Sequence, residues 1–211
     1  MSKAEKFWDR QANSYDQEGD NNGGDSTFTQ AVAITQKYLK ETDVVLDYGC
    51  ATGSLSFAIT DLVQAVEGID ISAKMIARAR QKAKTQQIAN VRFEQTTIFE
   101  TSYAKESFDV VLAFNVLHLL EDAHSAVQKI NHLLKPDGLF ISTTPCLGEK
   151  RTITSVVLTL MSKTGLVPRI SKFKSAELER FVDNNGFQIV MTKILSSDFS
   201  ETLIVARKTK A

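Results

Sequence analysis

The chain has 211 residues, and its 25 Lys plus Arg balance 25 Asp plus Glu, for a formal net charge of +0. That length suits one domain and leaves room for a substantial core. The balanced charge supplies no global field for a polyanion, so the electrostatic footprint of a duplex nucleic-acid binder is missing.

The first ten residues, MSKAEKFWDR, are charged and carry no apolar core, which argues against a secretory signal. Phe7, Trp8, Ala12 and Tyr15 fall on one face of a predicted first helix, and GDNNGGDS (Gly19 to Ser26) has the composition of a linker. Ala31, Ile34, Tyr38 and Leu39 mark a second helix. Val44, Val45 and Leu46 then read as a buried strand ending in Asp47, followed by a glycine-punctuated turn and by Leu55, Phe57, Ala58 and Ile59 at helical spacing. A second strand, Ala65 to Ile69, ends in Asp70 and precedes a helix capped by Ser72. Val91 to Gln95 and Val110 to Phe114 are the third and fourth strands. Asp122 caps a helix with Ala126, Val127, Ile130 and Leu134 on its core face. Lys135-Pro136-Asp137-Gly138 stops that helix in what reads as a type I turn, and a fifth strand runs to about Pro145. The pattern then breaks from Cys146 to Lys174. A helix from Ser175 through Asn184 follows, with Leu178, Phe181 and Val182 on one face and Gly186 as its terminator. Phe187 to Met191 and Thr202 to Ala206 are the last two strands.

Alternating strand and helix give an α/β fold with a mostly parallel, doubly wound sheet. Residues 1–42 form an N-terminal helical arm, 43–145 the ligand-binding core, 146–174 an insertion, and 175–211 a C-terminal helix with edge strands. Gly49 and Gly53 permit a sharp turn and close backbone approach. Two strand ends tipped with carboxylates, Asp47 and Asp70, describe a nucleoside pocket on such a sheet. Asp70 lies about twenty residues beyond the glycine loop, the spacing at which an acidic residue accepts from ribose hydroxyls. The competing role for Asp70 is to favour the dipole of the helix behind it. Cys50 and Cys146 have no metal-ligand spacing and fit a reducing cytoplasm. Ile153 to Met161 is too short and too interrupted by Thr and Ser to span a bilayer.

Five segments in this order resemble the class I S-adenosylmethionine-dependent methyltransferases: FWDRQANSYD, VVLDYGCATGS, GIDIS, SFDVVLAFNVLHLL and LLKPDGLFISTTP. The resemblance covers nearly the whole chain. It implies a Rossmann-like seven-stranded sheet whose final, antiparallel strand inserts beside the fifth. It places Asp47 and the backbone of Gly49, Cys50, Ala51 and Gly53 at the methionine end of S-adenosyl-L-methionine, and Ile71 on the adenine face. A carboxylate at Asp47 suits an ammonium and would be a poor neighbour for the pyrophosphate of NAD, whose loop usually reads G-x-G-x-x-G. Ala51 stands where many relatives have glycine. Relatives often have Gly-Asp after the third strand, where this chain has Thr96-Thr97, so Thr97 and the backbone of Ile98 are candidates for the adenine edge. Asn115 sits where the sheet opens toward the transferred methyl. The sequence Asn115-Val116-Leu117-His118 lacks the Asn/Asp-Pro-Pro-Tyr/Phe motif of relatives that methylate amino groups of DNA or of protein glutamine.

Two catalytic candidates remain open in role. His118 is either a general base or a wall residue. Tyr15, with Trp8, either closes over the cofactor or only docks the arm. The expected reaction is methyl transfer to a small-molecule oxygen, nitrogen or carbon, without metal, nucleic acid or membrane span, in a monomer or homodimer. Lys150, Arg151, Lys163, Arg169, Lys172 and Lys174 either attract an acidic acceptor or are ordinary surface charges. A non-catalytic binding protein and a nicotinamide oxidoreductase are the alternatives.

Overall fold

The computed structural model describes residues 2–16, 27–149, 170–196 and 200–209. The expected linker at Gly19 to Ser26, the apolar stretch Ile153 to Met161, and Lys150, Arg151, Lys163 and Arg169 lie outside them.

Seven strands form one sheet: β1 (Val44–Tyr48), β2 (Ala65–Asp70), β3 (Val91–Gln95), β4 (Phe108–Phe114), β5 (Leu134–Pro145), β6 (Phe187–Ser196) and β7 (Glu201–Lys208), in the order β3-β2-β1-β4-β5-β7-β6. Strands β1 to β5 pair in parallel, and β7 runs antiparallel between β5 and β6. The chain therefore winds outward from β1 to β3 and returns to the other side of β1 at β4. The divergence of the two loops leaving β1 and β4 opens a crevice at the carboxyl ends of the strands.

Among the described residues six α-helices accompany the sheet: α1 (Lys3–Gln11), α2 (Thr27–Gln36), α3 (Ser54–Ile59), α4 (Ala73–Gln86), α5 (Ala123–Leu133) and α6 (Ser175–Asp183). Strand residues alternate between two layers, as the period of two requires. Val45, Val110, Ile141 and Val205 pack with Ala31, Ile34, Leu55 and Ile76, whereas Leu46, Val111, Phe140 and Ile204 pack with Val127, Ile130, Leu178 and Val182. Both faces are thus dry, which is why the central strands read as continuous apolar runs.

The caps fall where the sequence places them. Ser72 Oγ accepts from the Met75 amide at 3.1 Å, and Asp122 Oδ1 accepts from the Ser125 amide at 2.9 Å. Three features differ from expectation. Helix α2 ends at Gln36, so Tyr38 and Leu39 pack on the core from the turn beyond it. Asp137 has φ +63°, which a type I turn forbids at its third position; the turn at Lys135 to Gly138 has the positive φ of type II there. Strand β6 extends to Ser196 because two register shifts, at Ile189/Met191 and Ile194/Ser196, let it stay paired along β7.

Gly68, in the middle of β2, is required by packing. A Cβ there would lie 2.6 Å from Cδ1 of Phe93 and 3.1 Å from Sγ of Cys50. Gly68→Ala is expected to lower stability by about 1–3 kcal/mol through overpacking. Urea unfolding of Gly68→Ala, Phe93→Leu and the double variant checks this. The double variant should be more stable than the sum of the two single losses.

Candidate functional site

The site begins at the end of β1. The amides of Gly49 and Cys50 both donate to the Ile69 carbonyl, at 2.8 and 3.0 Å, which ties the loop to the end of β2. Three of the next residues are left-handed: Gly49 at φ +76°, Ala51 at +48° and Gly53 at +85°. A side chain at Gly49 would meet Val116 Cγ2 at 2.9 Å, so the glycine lets the loop after β4 close in. The turn aims the Ala51 amide at Asp70 Oδ2 (3.1 Å), while Oδ1 accepts from the Ser72 amide at 2.8 Å. The carboxylate is thereby fixed, with lone pairs to spare for a ligand hydroxyl pair.

In front of Asp70 lies a cleft of about 680 Å³, solvent-open space included. Its floor is Tyr48, Gly49, Ala51 and Ile71, and its far wall is Phe114, Asn115, Val116, Leu119 and Leu120. Ala4, Trp8 and Tyr15 close it from the arm. The Trp8 and Tyr15 rings meet edge to face, 6.5 Å between centroids. Burial of the Tyr15 hydroxyl, reinforced by Asp70 and Asp47, pushes its pKa up to about 12, although the residue as a whole is 39% exposed.

Asp47 is buried below the loop, where Oδ2 accepts from Ser56 Oγ at 2.6 Å. Desolvation raises its pKa to about 6, against the lowering effect of that hydrogen bond and with help from the Asp70 charge. Asp70 is also raised, again chiefly by burial. Two carboxylates whose ionised forms are disfavoured thus stand beside one cleft.

Of the sequence candidates, Gly49, Ala51, Asp70, Ile71, Asn115 and Tyr15 line the cleft. Asp47, Cys50 and Gly53 shape the loop behind it: Cys50 is buried, and Gly53 begins α3. Asn115 follows β4 at φ +54°, its Nδ2 donating to Glu201 Oε1 at 3.3 Å. Thr97 and Ile98 do not line the cleft. The Thr97 hydroxyl donates to Glu100 at 3.1 Å, and Ile98 is in the core. His118 lies one residue behind the Leu119 wall, in a short 3-10 turn, Leu117–Leu119. Burial drives its pKa down to about 4, and its Nδ1 has no hydrogen-bond partner among the described residues. Sequence reading missed Asp9, Asp16 and Thr52, which fasten the arm beside the cleft; Asp9 meets the Ser72 hydroxyl and the Lys74 amide at the start of α4, and Asp16 meets Lys82 further along it, a signal visible only with both helices in view.

A doubly wound sheet with a glycine-rich turn after β1 and an acidic tip on β2 defines a nucleoside-binding α/β domain. Residues 39–193 match the family described as a methyltransferase domain, and the chain belongs to that family, the class I S-adenosylmethionine-dependent methyltransferases. Its similarity to the ubiquinone biosynthesis O-methyltransferase of Glaesserella parasuis serovar 5 is 31% identity over 158 residues, 68% of this chain and 64% of that protein. The chain spans 58% of the corresponding Haemophilus ducreyi enzyme. Among solved structures, a Haloferax volcanii protein in complex with the Trm112 methyltransferase activator superposes with TM-score 0.80 at 18% identity, over 96% of this chain and 98% of that one. The 1,6-didemethyltoxoflavin-N1-methyltransferase of Burkholderia thailandensis, solved with S-adenosylhomocysteine, has the same fold: TM-score 0.70, 20% identity, and coverage of 94% and 85%. Among the described residues no helix is long and apolar enough to cross a membrane.

Two predictions follow from the loop and its wall. Ala51 holds a left-handed conformation that costs a residue bearing Cβ about 1–2 kcal/mol, so Ala51→Gly should raise stability by up to about 1 kcal/mol in urea unfolding. For His118, a folded pKa below the ordinary 6.5 means the unfolded chain protonates first as pH falls. Stability should drop by about 1.4 kcal/mol per pH unit between pH 6.5 and 4 on this account. His118→Gln removes that slope, so the variant should gain on the wild type between pH 7 and 4.5. A pH-independent difference between the two would show the imidazole to be solvated.

Proposed function

We propose that the chain is an S-adenosylmethionine-dependent methyltransferase acting on a small-molecule oxygen, nitrogen or carbon nucleophile. The observation that carries the reading is the Asp70 carboxylate, fixed by the Ala51 and Ser72 amides at the mouth of the cleft. When bound, S-adenosylmethionine supplies a methyl group activated by its sulfonium for in-line displacement.

The chain's own residues have separable tasks. Asp70 accepts from the vicinal ribose hydroxyls, and Asp47, buried behind the loop, supplies a negative field that favours an ammonium at the methionine end. Ile71 and Met75 give the ring end apolar walls. Trp8, Tyr15, Leu119 and Leu120 exclude water and confine the acceptor, so positioning supplies most of the acceleration. Tyr15 keeps its proton at neutral pH and acts as a hydrogen-bond donor rather than a base. His118 is neutral at pH 7 but stands behind the wall, and its depressed pKa makes it a weak base. The O-methyltransferase and N1-methyltransferase names of the similar proteins support a small acceptor. Asp47 below the loop argues against a nicotinamide dinucleotide. Two buried free thiols, Cys50 and Cys146, suit a reducing compartment such as the cytoplasm.

Calorimetric titration with S-adenosylmethionine and S-adenosylhomocysteine tests the cofactor. Micromolar binding is expected, weakened about 30-fold or more in Asp70→Ala as two hydrogen bonds to a charged acceptor are lost. Because Asp47 and Asp70 must be ionised to serve the ligand while both pKa values are raised, affinity should increase as pH rises from 5 to 7. Absence of binding by folded wild-type protein would sink the reading. Labelled methyl appearing in tRNA but in no component of a metabolite extract would overturn the small-molecule acceptor.

A further inference from the structure

The arm that closes the cleft is fastened to the core by a polar ladder. Along α4, Lys74, Arg78 and Lys82 recur every four residues and so form a single stripe. Opposite them the arm presents Asp9, Asn13 and Asp16. Asp9 Oδ1 accepts from the Lys74 amide at 3.1 Å and from Ser72 Oγ at 2.6 Å. Asn13 Oδ1 accepts from Arg78 Nη2 at 2.9 Å. Asp16 Oδ1 accepts from Lys82 Nζ at 2.8 Å, and its Oδ2 lies 4.0 Å from Arg78 Nη1.

Asp16 makes one further contact, different in kind. Its Oδ1 also accepts from Thr52 Oγ1 at 2.5 Å, and Lys82 Nζ donates to the same Thr52 oxygen at 3.2 Å. Thr52 is fully buried and stands between the left-handed Ala51 and Gly53, inside the loop whose Ala51 amide holds Asp70. One carboxylate therefore joins the arm, the loop and α4. Tyr15, its chain neighbour, is part of the cleft wall.

We propose that Asp16 is a positioning residue, a latch that through Thr52 and Lys82 couples the closed arm to the ligand-bound loop and thereby sets the rate at which ligand leaves the cleft. The proposal rests on the cleft being the S-adenosylmethionine site. A ligand in the cleft packs under Trp8 and Tyr15 and against Ala51, so it must wait for the arm to lift. Lifting breaks the ion pair and the Thr52 hydrogen bond together. Asp16 and Lys82 are both partly exposed, so salt weakens the latch.

Trp8 is the only tryptophan of the chain and lines the cleft, so its fluorescence reports the arm directly. The experiment compares full-length wild type, Asp16→Ala, Asp16→Asn and Lys82→Gln in two measurements. Acrylamide quenching of Trp8 in ligand-free protein needs no ligand. It should rise about twofold or more in Asp16→Ala, and in wild type at 0.5 M KCl. Stopped-flow displacement of S-adenosylhomocysteine should show dissociation at least about 10-fold faster in Asp16→Ala and intermediate in Asp16→Asn, which keeps an acceptor for Thr52. The salt dependence of dissociation should weaken in Lys82→Gln, which leaves Arg78 beside Asp16, and disappear in Asp16→Ala. Quenching unchanged in Asp16→Ala would overturn the latch. Raised quenching with an unchanged dissociation rate would overturn the coupling. If wild type binds no S-adenosylhomocysteine, the functional reading fails while the quenching result still decides whether Asp16 holds the arm.

Discussion

The carbonyl of Ile69 receives two amides, those of Gly49 and Cys50, and this shared acceptor fixes how the chain leaves β1. A chain that must turn at once from strand to helix while keeping both amides on one oxygen needs left-handed residues, and three occur within five positions. Two of them are glycine; the third, Ala51, is strained by about 1–2 kcal/mol. Each hydrogen bond of the turn offsets about 0.5–1.5 kcal/mol, so the amide of Ala51 on Asp70 and the two on Ile69 together exceed that strain. Its surroundings over-determine the loop, which is the condition under which strain persists at a functional position. The close approach of Val116 to Gly49 then fixes the opposite wall, so both sides of the cleft descend from one turn.

The electrostatics point the same way. Asp47 and Asp70 sit at neighbouring strand ends in a poorly solvated region; the Asp70 charge makes Asp47 harder to ionise, and the Asp9 charge does the same to Asp70. For Asp47 the hydrogen bonds from the Ser56 hydroxyl and backbone do not compensate for burial, so the pair is a net cost to the ligand-free fold. A ligand with an ammonium at one end and hydroxyls at the other would relieve both carboxylates at once. The departure from the best possible stability thus falls where ligand recognition is read, and the apolar layers on either side of the sheet, with their dry faces, carry the stabilisation that offsets it.

What could be read from the sequence was whatever is decided locally. The strand β1, its acidic end, the glycines, the Ser72 and Asp122 caps and the acidic tip of β2 all depend on residues within one turn of each other. Strand order and the inserted antiparallel β7 came through family resemblance, since no local pattern encodes which strand lies beside β5. What the sequence does not show is side-chain orientation set from a distance. Thr97 turns to Glu100 because a carboxylate three residues on is a better partner than an open cleft. His118 reads as a candidate base by type, yet a 3-10 turn packs it inward while its neighbour Leu119 faces the cleft. The turn at Asp137 adopts a positive φ, which aspartate tolerates better than most residues bearing a Cβ.

The arm shows why a cleft cover has to be held differently from a core. Among the described residues 2–16 the one buried apolar side chain is Ala12, too small to contribute much by burial, while the larger Trp8 and Tyr15 line the cleft. What remains is polar: Asp9 in a buried hydrogen bond from Ser72, and Asn13 and Asp16 paired with α4 in contacts that are only partly shielded and so contribute little each. Opening the arm therefore costs far less than disturbing the sheet, and such low-energy local opening is where ligand exchange belongs. A ligand filling the cleft would add apolar contact to the Trp8–Tyr15 pair and strengthen closure without altering the platform below. The chain separates a sheet made rigid by two apolar layers from a cover made releasable by charge, and the loop at Thr52 is the point at which the two are joined.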